Sequence, residues 1–454
     1  MSAQNKISPA FEPFLAESGR NDKRDAIVVY QTLIPEEAPP ANQLREPRAR
    51  TSYLKERAAL QRPIERQFLR DYQEASSDHL RNGQQLEYSA IGSSALPITT
   101  VEVTRRTLTA LAEQPEVVAI MPNQKIELIQ PRLVSYDELS RLEAKRGLTW
   151  GLDRLEIAKV WEKTKGEQIN VAVLDTGVYG DHEVIEWRVK EFVVIDPLGR
   201  RIWAEQTFDS GSHGTHVCGT IAGGKTHQGI SIGMAPEANL LVAGVLVGDA
   251  TLRTLIEGIS WAVERGAHIV NMSLGFHYYE PLFAEVFELL INQFGILPVV
   301  AIGNESHGNS SSPGNAYSAF SVGAVEKQPY PSRKVDVAFF SSGASLVFPE
   351  EEVHSLVVKP DVVAPGRQIF SCIPPEKRPD GTHEYSYMDG TSMAAPHVAG
   401  AAALLMAAKP EAPVTDIIQV LRETADHPAG EYSRPDNRWG YGLIRPAEAL
   451  KALG

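Results

Sequence analysis

From Trp150 onward the chain alternates short β-branched apolar runs with amphipathic helical stretches, and this alternation constrains the fold more than any other feature. The runs are residues 169–174, 239–245, 268–272, 296–301 and 319–324. Near-continuous apolar runs of that length suit strands covered on both faces, the condition of a parallel sheet. Between two of them, residues 251–265 place Leu252, Leu255, Ile256, Ile259 and Val263 on one helical face. The expected fold is α/β, a mainly parallel sheet flanked by helices, forming one domain over residues 150–454. In such sheets the reactive groups gather at the carboxyl ends of the strands.

A different pattern precedes it. Residues 1–25 are polar and mixed in charge and read as flexible. Residues 26–30 are a short β-branched run, and Pro35, Pro39, Pro40 and Pro47 mark an irregular connection. Residues 53–80 are rich in helix formers, with a break or kink expected at Pro63. Leu86, Tyr88 and Ala90 alternate with polar residues, residues 98–103 form another strand, Thr104 caps a helix over 105–113, and residues 117–121 return as a strand. The order strand, helix, strand, strand, helix, strand is that of a small ferredoxin-like α+β domain over residues 26–130. Residues 131–149, with the run SYDELSRLEAKRG, read as a solvated helical linker.

Of the 454 residues, 43% are hydrophobic and 22% charged, which excludes a chain disordered throughout. The formal charge, 44 − 57 = −13, argues against a basic surface for nucleic acid or anionic lipid. Two cysteines, Cys218 and Cys372, exclude a disulfide-built scaffold. The amino terminus has neither the basic leader nor the apolar core of a secretory signal. The longest apolar runs are about half of the ~20 residues that a membrane helix needs. The chain reads as soluble and cytoplasmic.

Three short segments bear chemistry. In VAVLDTGV (171–178) a buried strand delivers Asp175 at its carboxyl end. In HGTHVCGTIAG (213–223) small residues allow a helix to pack close to the sheet with His213 at its start. The pair His213 and His216 lacks the acidic partner of zinc hydrolases, so His216 reads as a buried, hydrogen-bonded histidine and no metal is expected. Cys218 reads as a small buried hydrophobe. In GTSMAAPHVAG (390–400) Ser392 opens a helix of small residues, with Pro396 expected near its first turn and His397 structural. A hydroxyl there lies where helix N–H groups can meet a developing oxyanion.

An acid, a base and a hydroxyl in the chain order Asp, His, Ser is the order of subtilisin. Together with VNMSLG (270–275) and VVAIGNES (299–306), these segments resemble the subtilisin-like serine proteases, the subtilases, from about Trp150 to the end. The resemblance implies Ser392 as nucleophile, His213 as general base, Asp175 as its orienting carboxylate and Asn304 as an oxyanion donor. It also implies that Ser273, Leu274 and Gly275 pair with the substrate backbone, and that Ala301, Ile302 and Gly303 help to wall the first specificity pocket. Gly248 would lie on the opposite edge of the cleft, and Glu305 would sit at the pocket rim, favouring Lys or Arg slightly over Glu. An extended peptide held by two strand edges is recognised mainly through its main chain, so the partner is an unfolded or flexible polypeptide. Residues 224–230 lack the Asn or Asp of calcium-binding relatives, so no cofactor is expected and calcium is unsupported. The insertion between Val325 and Val362, acidic at residues 349–352, is expected as a surface excursion.

The segment EVVAIMP (116–122) and the strand order before it are similar to subtilase inhibitory propeptides, which implies that residues 124–128 lie in the substrate path and that the N-terminal domain is an intramolecular inhibitor. The expected function is that of a serine endopeptidase made as a self-inhibited precursor. Alternatives are a catalytically silent or permanently inhibited scaffold that binds a partner, and an acyl-transferring peptide ligase or cyclase.

Overall fold

A computed structural model describes residues 6–19, 22–31, 47–77, 87–92, 96–129, 132–133, 139–328, 332, 334–347, 356–379 and 381–454. Its N-terminal part contains β1 (Arg24–Tyr30), α1 (Pro47–Ser77), β2 (Tyr88–Ala90), β3 (Ile98–Val103), α2 (Arg105–Ala112) and β4 (Val117–Pro122). The strands form an antiparallel sheet in the order β2-β3-β1-β4, the ferredoxin-like arrangement. Thr104 and Thr107 close a capping box at the start of α2.

Two local expectations change. The helix α1 continues through Pro63 without a break. A proline inside a helix costs about 3 kcal/mol, and burial on both sides of it offsets that cost. Phe68, Leu69 and Tyr72 lie in the core of the N-terminal sheet, with Phe68 stacked on Tyr30 at 5.1 Å. Leu54 and Ala58, one helical stretch earlier, belong to the apolar cluster that the N-terminal sheet shares with the larger unit. Residues 6–19, which read as flexible, are tied down: Pro9–Phe11 forms a short 3-10 turn, Phe11 is fully buried, and the Ser8 N–H donates to Ile120 O at 2.8 Å.

The larger unit is built on a nine-stranded sheet. Along the chain lie β5 (Glu127–Leu128), β6 (Asn170–Asp175), β7 (Val189–Ile195), α3 (His213–Ala222), β8 (Asn239–Gly244), α4 (Leu252–Glu264), β9 (Ile269–Met272) and β10 (Leu274–Gly275). They are followed by β11 (Leu297–Ala301), β12 (Phe320–Lys327), β13 (Val362–Pro365), β14 (Ile369–Arg378), β15 (Gly381–Asp389) and α5 (Thr391–Ala408). Seven strands run parallel in the order β13-β12-β11-β9-β6-β8-β7, with antiparallel additions at Val335–Val337 and Arg201–Ile202. The five apolar runs of the sequence supply five of these strands. Apolar clusters cover both faces of the sheet, one of which holds α3 and α5 and the other α4. The helix α5 is long and apolar enough to cross a membrane, and it lies buried in this core.

The insertion emerges as a hairpin, Ala344–Val347 against Leu356–Lys359, with Val347 and Leu356 exposed. Its acidic residues 349–352 lie outside the described residues. At its base the buried Lys359 ammonium donates to Asp361 Oδ2 at 2.8 Å and Ala319 O at 2.6 Å, and Asp361 also pairs with Arg422. The linker departs from its expected solvated character at Glu143, in the helix Leu139–Arg146. Its carboxylate is buried and accepts from Trp150 N at 2.9 Å and Tyr387 Oη at 2.7 Å, and burial raises its pKa despite those donors.

The two units share a wide contact. The Gly92 N–H donates to Glu257 Oε2 at 2.7 Å, Arg253 donates to Ser89 Oγ at 2.8 Å, and Arg57 donates to Gln293 while lying over the Phe294 ring.

Candidate active site

The strand register brings the three chemical segments to one edge of the sheet. Leu174 is opposite Met272, and Met272 opposite Val300, so Asp175, Ser273 and Ala301 all stand at the carboxyl ends of adjacent parallel strands. Asp175 is fully buried, and its carboxylate receives Nδ1 of His213 at 2.7 Å to Oδ1 and 2.9 Å to Oδ2. Thr176 N–H donates to Oδ1 at 2.7 Å. His213 opens α3, which approaches the Asp175 turn closely because residue 214 is glycine: a Cβ there would lie 2.1 Å from Gly177 O.

Ser392 is the second residue of α5. The two helices are packed with Gly400 of α5 against α3, where a Cβ would lie 3.4 Å from Ile221 O and 2.4 Å from Met234 Cβ. Pro396 is not at the first turn, where the sequence suggests it; it is the sixth helical residue. Its missing N–H is the one that the Ser392 carbonyl would accept in a regular helix. Ser273 Oγ takes that place, donating to Ser392 O at 3.2 Å. The break in the helix ladder thus ties Ser392 to the strand edge.

Asn304 is anchored through its Oδ1, which accepts from Thr391 N at 2.9 Å and Thr391 Oγ1 at 3.0 Å. That contact turns its amide nitrogen toward Gly390, beside Ser392. Ala301, Ile302 and Gly303 are buried. Gly275 lies against Ser312 O, and Phe276 and Ser312 exchange backbone hydrogen bonds, which stiffens the chain over Ser273, Leu274 and Gly275. Glu305 is tethered: Oε2 accepts from Ser311 Oγ at 3.0 Å and Ser342 Oγ at 2.9 Å, and Oε1 is 3.3 Å from His277 Nδ1. Its side chain is 29% exposed.

The cleft holds the chain's own backbone. β5 pairs antiparallel with β10, Leu128 opposite Leu274 and Glu127 opposite Gly275. On the other side Ile126 N–H donates to Ala250 O at 3.1 Å and Leu252 N–H to Gln124 O at 2.6 Å. The opposite edge is therefore formed by Ala250 and Leu252, with Gly248 in the turn that leads to it. The strand ends with Ile129 buried and its carbonyl accepting from Ser392 Oγ at 3.3 Å. The hydroxyl also lies 3.4 Å from Ser273 O, while His213 Nε2 is buried without a hydrogen-bond partner.

Two buried histidines and two buried thiols near the site are neutral. His216 Nε2 meets Ile369 O at 3.0 Å and Ser386 O at 3.2 Å, and burial lowers its pKa to about 3. His397 Nδ1 meets Met393 O, and burial lowers it to about 4. Burial pushes the Cys372 thiol up to about 12 and Cys218 well above its ordinary value. Among the described residues, no group of three or more His, Cys, Asp or Glu is placed to hold a metal ion.

Sequence reading missed the residues that orient these side chains: Thr391 at Asn304, Ser311 and Ser342 at Glu305, and Thr176 with Asp209 beside Asp175. Only Asp209 had a legible signal, four residues before His213.

Residues 166–442 match the model of the Subtilase family. The chain is 34% identical over 281 residues to the major intracellular serine protease of Bacillus subtilis, covering 60% of this chain and 80% of that protein. It is 32% identical over 380 residues to fervidolysin of Fervidobacterium pennivorans, covering 73% of this chain and 50% of fervidolysin. The crystal structure of fervidolysin, a keratinolytic enzyme related to subtilisin, superposes with a TM-score of 0.69 at 25% identity, covering 96% of this chain and 62% of that one.

Proposed function

The chain belongs to the subtilase family and is a subtilisin-like serine endopeptidase, and from that premise we propose that it cleaves peptide bonds through an acyl-enzyme on Ser392 and is made as a self-inhibited precursor. The observation that carries the reading is the seat of residues 126–129: a strand paired on both sides, ending with a carbonyl against Ser392 Oγ. A substrate segment would pair in the same way, and only an unfolded or flexible stretch can supply two free backbone edges.

In the reaction the Ser392 hydroxyl turns from Ile129 O to His213 Nε2, gives its proton to that nitrogen, and attacks the scissile carbonyl carbon. Asp175 holds the Nδ1–H and stabilises the imidazolium. The oxygen that gains the electron pair becomes an oxyanion, bound by the Asn304 amide and the Ser392 N–H. Collapse breaks the C–N bond, the proton on Nε2 passes to the leaving amine, and water repeats the sequence to release the acid. In the resting chain the hydroxyl proton is directed at carbonyl oxygens, away from the base, and the carbonyl against Ser392 is that of Ile129, the acyl side of the Ile129–Gln130 bond.

That bond is the proposed site of processing, residues 1–129 then acting as the intramolecular inhibitor. This reading takes 26–130 as the inhibitory unit and 150–454 as the catalytic one, the division expected from sequence. Two relatives named as intracellular proteases favour an intracellular place of action. Ser392→Ala should accumulate the uncut 454-residue chain with no peptidase activity. Cutting at Ile129–Gln130 in that variant, in the absence of any other protease, would refute the assignment.

A further inference from the structure

Asp209 is the most heavily used carboxylate beside Asp175, and the mechanism above gives it no part. Its Oδ1 accepts from Thr176 Oγ1 at 2.6 Å and Gly211 N at 3.0 Å. Its Oδ2 accepts from Thr215 N at 2.8 Å and Thr215 Oγ1 at 2.6 Å. Thr176 follows Asp175 on the strand side, and Thr215 is in the first turn of α3, two residues after His213. One carboxylate therefore clamps the turn that carries Asp175 onto the helix that carries His213.

The Thr176 hydroxyl has a single proton and two carboxylates within reach, Asp209 at 2.6 Å and Asp175 at 3.2 Å. The shorter contact takes the proton, and the same oxygen accepts Gly214 N–H at 3.0 Å. Asp175 is left facing His213 and its own neighbouring N–H. The other titratable groups near this pair are His216 and Cys218 on α3 and Cys372 on β14, with His397 on α5 beyond His216. Burial keeps all four neutral at ordinary pH. Among these groups Asp209 is the one that adds a charge.

Resting on the proposed triad, we infer that Asp209 is a positioning residue of the reaction, acting through Thr176 and Thr215 to hold Asp175 and His213 in register and adding a second negative charge that strengthens His213 as a base. Two charges several ångströms apart, one buried and one half-buried, interact enough to move a titration by about half a unit to one unit.

The test is the pH profile of kcat/KM between pH 5 and 9 on a chromogenic peptide, with active sites counted by fluorophosphonate titration. Asp209→Asn should move the midpoint of the acid limb down by about 0.5–1 unit, and 1 M KCl should narrow its separation from the native midpoint. Asp209→Glu should restore the midpoint even where its rate is lower. If Asp209→Asn does not fold, Asp209→Ser reads the same charge with room for water to bridge the donors. A uniform loss of rate with an unmoved midpoint would overturn the inference and make Asp209 purely structural. Failure of the triad reading shows separately, as labelling of the native chain at a serine other than Ser392.

Discussion

Replacing Glu280 by glutamine should free the docking of residues 6–17 from pH. Glu280 is 1% exposed, and its Oε2 accepts from Ser8 Oγ at 2.9 Å across the contact between the two units. Burial, opposed by that hydrogen bond and by Leu282 N–H, raises its carboxyl from 4.5 to about 7, and no cation is among the groups acting on it. When the segment lifts away, the carboxyl meets water and returns toward its ordinary value. Below pH 4.5 it is protonated in both states and docking is unaffected. Between 4.5 and about 7 only the open state ionises, so docking weakens as pH rises. Above that the loss is complete. A raise from 4.5 to about 7, at 1.36 kcal/mol per unit, is about 3 kcal/mol, or on the order of 100-fold in the docking equilibrium. Glutamine keeps the acceptor for Ser8 and has no charge to bury. The Ser8 amide, donated to Ile120 O, reports docking through hydrogen exchange. Its protection, corrected for the intrinsic rate, should fall by up to about 100-fold from pH 5 to 8 in the native chain and stay flat in Glu280→Gln. Burial also raises Glu257, at the Gly92 contact, so the readout is the difference between the two chains. Identical pH dependence in both, or protection that grows with pH in the native chain, would refute the reasoning.

Asn304→Ala should lower kcat by about 10²–10³ with little change in KM, since the amide acts on charge that exists only in the transition state; steady-state kinetics decide it, and a KM effect alone would count against the role. Lys359→Met should cost about 3–5 kcal/mol in urea unfolding, because Asp361 stays buried with Arg422 as its one remaining cation. Glu305→Gln should reduce the preference for Lys over Glu before the scissile bond by a few-fold at low salt, measured as kcat/KM on matched peptides; the serine tethers hold the carboxylate in place, so an unchanged ratio means that it takes no part in selection.

The strands, the helices and the segments that carry Asp175, His213 and Ser392 could be read from the sequence because each rests on a local pattern. Residues 169–174 need only be apolar on both faces to become a central strand, and Ser392 needs only the small residues around it to mark a close-packed helix start. What was not legible depends on contacts between segments far apart in the chain. Pro396 reads as a first-turn proline, yet it sits inside the helix because Ser273, 119 residues from Ser392, replaces the missing donor. Glu143 sits in a run of charges and reads as solvated, yet Tyr387, 244 residues away, takes its carboxylate into the interior. The expected path of residues 124–128 came from resemblance, and the register against Gly275 and Ala250 is a matter of tertiary pairing that periodicity does not encode.

Peptide mapping of the fluorophosphonate adduct tests the central claim most directly. The account predicts one adduct, on the peptide containing Ser392, in chains that begin at Gln130, while chains that retain residues 1–129 label slowly because Ile129 lies against the hydroxyl. An adduct on a different serine, or equal labelling of cut and uncut chains, would contradict it.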